Sequence, residues 1–185
     1  MEKACLVLCP VEPDWTLPDH KSLKHLLQSI QLIDGLFNGE TDYLAGERFL
    51  DLIAFMGCSP DISLEPGDNG RQFCFIRLIT GTDSIEYHGG DHTHAPRCPQ
   101  CGSPVDDWKS KILTWQQHAA TEPWSCDSCR YAAQPWAYRW RKSAGFGRCF
   151  IEINNIYPRE AMPQQQLLDT LHSHYQVNWH YFYQY

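Results

Sequence analysis

Residues 149–185, CFIEINNIYPREAMPQQQLLDTLHSHYQVNWHYFYQY, decide the fold class. Residues 149–156 form an apolar run rich in isoleucine, which predicts a buried strand. Residues 164–175 place three leucines at helical spacing, and residues 178–185 alternate aromatic side chains with others, which predicts a second strand. A strand, a helix and a strand in this order favour helices packed on a sheet.

The earlier part of the chain supplies further elements of the same kind. Residues 4–9 (ACLVLC) and 72–80 (QFCFIRLIT) predict strands, and the second of these turns into a short strand at 85–87. Apolar side chains at helical spacing predict one helix over 19–33 and another over 45–56. Two segments with turn residues, 10–18 and 35–42, are expected to be loops. The predicted fold class is α+β, with helices packed on a mainly antiparallel sheet.

Length and composition indicate one domain with a small insert. The chain has 185 residues, of which 43% are hydrophobic and 20% charged, so it can bury a substantial core. Its longest uncharged apolar stretch, 52–60, is far too short to span a bilayer, and no membrane association is expected. The N-terminus does not read as a signal peptide, which predicts a reducing, cytoplasmic location. In that compartment the nine cysteines require an explanation other than disulfides.

Four cysteines occur as two closely spaced pairs. The segment Cys98-Pro99-Gln100-Cys101-Gly102 is followed by Cys126-Asp127-Ser128-Cys129, with 24 residues between Cys101 and Cys126. Two thiolates separated by two residues can point at the same ion when the chain makes a tight turn, and Gly102 can adopt the positive φ that such a turn needs. Two such turns complete a tetrahedral shell of four sulfurs, so the spacing predicts one metal ion.

These residues resemble the zinc ribbon, in which two knuckles at the ends of β-hairpins share one zinc ion. The resemblance covers residues 98–129, and the Cys-Pro-x-Cys-Gly knuckle is its specific part. It implies one structural zinc ion held by Cys98, Cys101, Cys126 and Cys129, and a strand over 112–116 is expected in the spacer. A redox CxxC and an iron–sulfur cluster rank below zinc. A four-thiolate site has no open coordination position, so the zinc is expected to stabilise the fold and to do no chemistry.

The other five cysteines lie in apolar segments and are interpreted as small buried hydrophobic side chains. They are Cys5, Cys9, Cys58, Cys74 and Cys149.

The expected organisation is therefore a single α+β domain with an inserted ribbon. Residues 1–87 and 130–185 form the core domain in this interpretation, and residues 88–129 form the zinc-ribbon subdomain. The sequence favours a zinc-binding protein that acts as a non-catalytic interaction module, with a protein as its partner. No enzymatic activity is predicted from the four-cysteine site.

An alternative is a metal-dependent enzyme that uses the loop before the first knuckle. Asp91, His92 and His94 offer a carboxylate and two imidazoles within four residues, which are common ligands of catalytic metals. The competing interpretation is a polar surface loop.

A second alternative is a nucleic-acid-binding module. The net charge of −7 argues against a protein that coats nucleic acid, yet residues 130–148 contain five basic and no acidic side chains. Arginines there alternate with aromatic rings, which suits phosphates and unpaired bases. The competing interpretation packs Trp136, Tyr138 and Trp140 from one face of a strand into the protein interior, and it is favoured. The predicted binding surface comprises Arg130, Trp136, Arg139, Trp140 and Arg141.

The last strand has one face that is entirely aromatic. Trp179, Tyr181, Tyr183 and Tyr185 are expected to pack in the core or to form a contact between two copies of the chain. A homo-oligomer formed through this strand is therefore a further hypothesis.

Overall fold

The computed structural model describes residues 4–56, 62–67, 73–118 and 122–185, so the prediction for Cys58 lies outside the described residues. The strands are β1 (Ala4–Pro10), β2 (Ile33–Asn38), β3 (Asp42–Ala45), β4 (Ile53–Phe55), β5 (Phe75–Ile79), β6 (Glu86–Gly89), β7 (Trp124–Ser125), β8 (Ala132–Ala133), β9 (Ala144–Gly147), β10 (Phe150–Ile156), β11 (Ala161–Pro163) and β12 (Trp179–Gln184). The helices are α1 (Ser22–Ser29), α2 (Phe49–Leu52), α3 (Trp108–His118) and α4 (Gln165–Tyr175). The described residues form an α+β fold in which strands predominate.

Six strands form one sheet in the order β12-β1-β10-β5-β3-β2, and every neighbouring pair is antiparallel. The strand β1 lies between β12 and β10 and is buried on both faces of the sheet. This position explains its continuous apolar sequence, because a strand exposed on one face would alternate apolar and polar side chains. The predictions of strands over 4–9, 149–156 and 178–185 are confirmed.

One face of the sheet carries the two longer helices of the main core. Leucines of α1 and α4 are fully buried against leucines and isoleucines of β1, β5 and β10. Trp179 of β12 is buried on this face, and the tyrosines of the same strand pack at its margin. The aromatic face of the last strand therefore packs against the core of its own chain, as one of the two sequence interpretations expected.

The opposite face of the sheet is covered by a small two-stranded sheet of β6 and β9. Here Val7, Cys9, Phe150 and Phe182 form a second buried layer. The ring of His88 in β6 stacks on Phe150 with ring centroids 3.8 Å apart, and its Nδ1 lies 3.2 Å from Oε1 of the buried Glu152. Residues 90–143, which connect β6 to β9, therefore begin and end on this face of the main sheet.

A buried carboxylate is paired on the same face, further toward the β2 edge. Arg77 of β5 donates two hydrogen bonds to Asp42 of β3, at 2.7 and 2.8 Å. These bonds are the main reason why the pKa of Asp42 is lower than its ordinary value. The pair joins two neighbouring strands of the sheet through their side chains.

Two predictions in the first third of the chain are wrong, and the predicted bounds of a third element are too wide. Residues 45–56 contain only the single helical turn α2, and the chain then extends into β4, which pairs with β11. Residues 53–55 pair with β11 as a strand although the apolar side chains of this segment have helical spacing. Leu50 and Met56, which a buried helix would have packed, are exposed. The predicted helix over 19–33 ends at Ser29. The predicted loop over 35–42 is a hairpin of β2 and β3, in which Gly39 has a φ of 62° at the turn.

Two predictions near the cysteine pairs are also wrong. Residues 112–116 are part of the helix α3, because Trp108, Ile112 and Trp115 share one face and are buried together. Residues 135–137 form a 3₁₀ turn and not a strand. From Tyr138 onward the expected alternation holds, with Tyr138 and Trp140 buried and Arg139 and Arg141 exposed.

Candidate metal centre

The structure brings the four paired cysteines together. The sulfur atoms of Cys98, Cys101, Cys126 and Cys129 all lie within 4.8 Å of one another. Sγ of Cys98 is 3.7 Å from Sγ of Cys129, and Sγ of Cys101 is 3.7 Å from Sγ of Cys126. In each pair the first cysteine is buried and the second is exposed. The four thiols are positioned to hold one metal ion.

The first knuckle is a tight turn closed by backbone hydrogen bonds. The amide of Gly102 donates to the carbonyl of Cys98 at 2.9 Å, and the amide of Cys98 donates to the carbonyl of Ser103 at 2.9 Å. Gly102 has a φ of 77°, which confirms the expected positive φ. This turn points the sulfurs of Cys98 and Cys101 to the same side.

The second knuckle repeats these bonds at equivalent positions. The amide of Arg130 donates to the carbonyl of Cys126 at 2.8 Å, and the amide of Cys126 donates to the carbonyl of Tyr131 at 2.9 Å. Arg130 has a φ of 63° at the position that glycine occupies in the first knuckle. The two knuckles therefore have the same main-chain geometry, although their sequences differ after the second cysteine.

Paired extended segments carry both knuckles. The second knuckle connects β7 and β8, which pair through Trp124 and Ala133. The first lies between Arg97 and Pro104, which form an isolated antiparallel bridge, and Arg97 also bridges to Arg139. Both arginine side chains brace this turn, because Arg97 donates to the carbonyl of Gly102 and Arg139 to that of Pro99, each at 2.9 Å. The sequence analysis did not select Arg97, whose position directly before the first cysteine is its only signal.

The thiols of the centre have unequal proton affinities. The hydroxyl and the amide of Ser103 lower the pKa of Cys101 to about 6. The amide of Tyr131 lowers the pKa of Cys129, but desolvation and the neighbouring thiols outweigh it and raise that pKa to about 12. A metal cation needs all four groups as thiolates, so binding would displace the remaining protons.

An apolar cluster of its own supports the centre. Cys98 and Cys126 belong to a buried cluster that includes tryptophans of α3 and of the segment after the second knuckle. The hydroxyl of Tyr138 donates to the carbonyl of Trp124 at 3.1 Å, and burial chiefly raises the pKa of Tyr138 to about 12. The cluster extends to Ala144 and Phe146 of β9, beyond residue 129, where the predicted subdomain ends.

The loop that was considered for a second metal lies apart from the cysteines. The four cysteines are the only group of three or more potential ligands that converges within the described ranges, so Asp91, His92 and His94 do not meet around one point. The ring of His92 stacks on Tyr185 with centroids 5.4 Å apart. Thr93, which the sequence analysis did not select, is buried and donates to the carbonyl of Ser143 at 3.0 Å. This contact ties the loop to the turn before β9.

The structure divides the five residues of the predicted binding surface between two places. Arg130 and Arg139 belong to the knuckles. Trp136, Trp140 and Arg141 line a cavity of about 300 Å³ between β9 and β12, together with Lys142. Arg130 and Arg139 therefore lie outside the cavity that the other three residues line.

The remaining described cysteines lie in or near the core, and none of the described cysteines is in a disulfide. Cys9, Cys74 and Cys149 are buried, and Cys5 is partly buried. Burial raises the pKa of Cys149 to about 12 and that of Cys9 further still. These thiols are protonated at neutral pH, which agrees with their interpretation as small apolar side chains.

Comparisons with protein-family models, curated proteins and solved structures found no match to this chain. Among the described residues, no helix combines the length and hydrophobicity that crossing a bilayer requires.

Proposed function

We propose that this chain is a zinc-binding protein in which one structural zinc ion closes a zinc ribbon inserted into an α+β domain. The observation that carries the proposal is the separation of the sulfur atoms. Four sulfurs about 2.3 Å from one zinc ion lie about 3.8 Å apart at the corners of a tetrahedron. The two measured separations of 3.7 Å fit this arrangement.

The donor set supports a metal that binds thiolates over calcium and magnesium. Four thiolates in a tetrahedron suit zinc or iron, whereas calcium and magnesium require oxygen ligands. Sulfurs this close together fit a single ion at their centre, because an iron–sulfur cluster would hold its cysteines further apart. The equivalent hydrogen bonds of the two knuckles and the hairpin that carries the second support the ribbon.

A structural role follows from the coordination. Four protein ligands fill a tetrahedral site, which leaves no position for water or substrate. The zinc ion would join two turns that are separated by the helix α3 and would stabilise the small apolar cluster beside them. In this proposal the surface of the ribbon contacts a protein partner, and the metal does not take part in catalysis.

Metal analysis of the purified protein tests the proposal. We expect about one zinc ion per chain, and we expect the double variant Cys98→Ser with Cys126→Ser to lose it, because both sulfur pairs are broken. Cys5→Ser is the matched control, since Cys5 lies on the main sheet outside the centre, and it should retain the zinc.

Three results would count against parts of the proposal. A metal-free protein with an unchanged unfolding transition would contradict the structural role. Visible absorption from bound iron and sulfide would contradict zinc. A stoichiometry of two, lowered to one by His92→Ala with His94→Ala, would instead support the alternative metal site of Asp91, His92 and His94.

A further inference from the structure

The cavity between the cysteine-bearing segment and the main sheet combines aromatic walls with a cationic mouth. Its volume is about 300 Å³, and it is lined by β9, β12 and the turn that precedes β9. The side chains that matter here are Trp136, Trp140, Phe146, Tyr181, Arg141 and Lys142. This volume is at the lower end of the range for small-molecule sites, so the cavity suits one ring system rather than an extended chain.

The charge of the lining is opposite to that of the molecule. Arg141 and Lys142 line the cavity, and none of the residues that line it is acidic. The whole chain, by contrast, has a net charge of −7. Nζ of Lys142 lies 3.8 Å from the centroid of the Tyr181 ring, a contact that fixes the cation beside the aromatic wall. An anion would therefore be attracted to this cavity more than to the surrounding acidic surface.

Both cationic residues have a backbone conformation that is unfavourable for residues with a Cβ atom. Arg141 and Lys142 have φ values of 51° and 56°, and the amide of Ser143 donates to the carbonyl of Trp140 at 3.0 Å across the turn. Positive φ at both central residues is the pattern of a type I′ turn, for which Asn-Gly is the preferred sequence. Two long basic side chains in this conformation destabilise the turn, and such strain is concentrated at functional sites.

We propose that this cavity binds a free nucleoside monophosphate, with the base against the tryptophan rings and the phosphate between Arg141 and Lys142. Aromatic side chains stack on any base. Two neighbouring cations match the nearly double negative charge of a phosphomonoester better than the single charge of a carboxylate. A free nucleotide is favoured over a nucleic-acid strand, because the acidic body would repel the phosphates on either side of the bound unit. The four cysteines do not line this site, but Trp140 and Phe146 belong to the buried cluster that contains Cys98 and Cys126, so the site is tested in the metal-loaded chain.

Isothermal titration of the full, metal-loaded chain with AMP and UMP tests the site. We expect saturable binding of the mononucleotides and much weaker binding of adenosine and of inorganic phosphate, each of which lacks one recognised part. The indole N–H signals of Trp136 and Trp140 in a ¹H–¹⁵N NMR spectrum should shift on addition of AMP.

The turn itself supplies a variant that separates binding from folding. Arg141→Asn with Lys142→Gly installs the preferred turn sequence, so we expect a higher melting temperature together with an affinity for AMP lowered about tenfold or more. The matched control is Arg159→Gln with Lys109→Gln, which removes the same charge from exposed side chains outside the cavity and should leave the affinity within about twofold.

Each of the other outcomes would overturn the proposal. These are no heat or spectral change at about 5 mM nucleotide, equal affinity of the turn variant and the wild type, and equal binding of adenosine and AMP. Binding of a single-stranded oligonucleotide without binding of mononucleotides would replace the proposal with a nucleic-acid site.

Discussion

Gly102 and Arg130 occupy equivalent positions after the two cysteine pairs, yet they differ in what a positive φ costs them. Glycine adopts this conformation freely, whereas a residue with a Cβ atom is disfavoured by about 1 kcal/mol or more. Both amides close their knuckles on the carbonyl of the first cysteine. The second knuckle is thus the more strained of the two turns.

This difference predicts opposite effects of two substitutions. Arg130→Gly should raise the free energy of unfolding by about 0.5–1 kcal/mol, and Gly102→Ala should lower it by about 1 kcal/mol. Space is not a factor at Gly102, since a Cβ atom there would have no neighbour within 4 Å. Denaturant unfolding of the metal-loaded variants measures both changes.

Arg130→Ala serves as the control for the loss of the arginine side chain. It keeps the strained backbone, so it should not stabilise the protein. Equal stability of the Gly and Ala variants at this position would show that the backbone conformation is not the cause.

At the scale of elements, the small sheet of β6 and β9 packs closely on the main sheet. Gly145 of β9 lies against the ring of Phe182 in β12, and a Cβ atom at this position would overlap that ring. The absence of a side chain at Gly145 therefore allows the approach that covers the second face of the main sheet.

A matched pair of alanine substitutions in β9 tests this contact. Gly145→Ala should lower the free energy of unfolding by about 2–3 kcal/mol, because the two sheets must separate or the buried phenylalanine must move. Gly147→Ala should change it by less than about 1 kcal/mol, since its Cβ atom would lie at an ordinary 3.4 Å from the nearest atom of Phe150. Thermal unfolding of both variants gives the comparison, and a similar loss in both would contradict the close-packing argument.

Elements differ in how far their own sequence predicts them. The helix α4 was predicted almost to the residue, because its leucines face the core. The segment 45–56 has an equally good helical pattern, but its end pairs with β11. The helix α3 was predicted as a strand, since five residues of the spacer show no period that distinguishes the two structures.

At the scale of the whole molecule, stability in acid should depend on the pair of Asp42 and Arg77. Asp42 is 3% exposed and its pKa is lowered from 3.8 by the hydrogen bonds of Arg77. When the pKa of a carboxyl group is lower in the folded than in the unfolded state, the group stabilises the fold at pH values above its unfolded-state pKa. This contribution is lost as the pH falls through the pKa of the folded state.

The variant Asp42→Asn should therefore be less stable than the wild type by about 1.5 kcal/mol at neutral pH, an effect limited by the exposure of Arg77. The difference should decrease below about pH 4 as the wild-type carboxyl group takes up its proton. Denaturant unfolding at several pH values measures this difference, and release of metal by acid affects both proteins alike. A difference that is constant down to about pH 2 would contradict this assignment.

The sequence alone determined the metal-ligand set and the general class of the fold. Paired CxxC spacing is a local property, since the turn that directs two sulfurs to one side is made by residues adjacent in the chain. The buried strands at 4–9 and 149–156 and the helix at 165–175 are likewise visible in local hydrophobic patterns.

Only the tertiary structure decided which residues meet across the chain. The sulfur separations, the second knuckle with Arg130 in a glycine-like conformation, and the pairing of β4 with β11 depend on contacts between distant segments. The same is true of the cavity, which takes Trp140 and Arg141 from one segment and Tyr181 from another. Hydrophobic periodicity indicates whether a residue is buried, but it does not specify the residues against which that residue packs. Those partners are determined by the packing of the whole molecule.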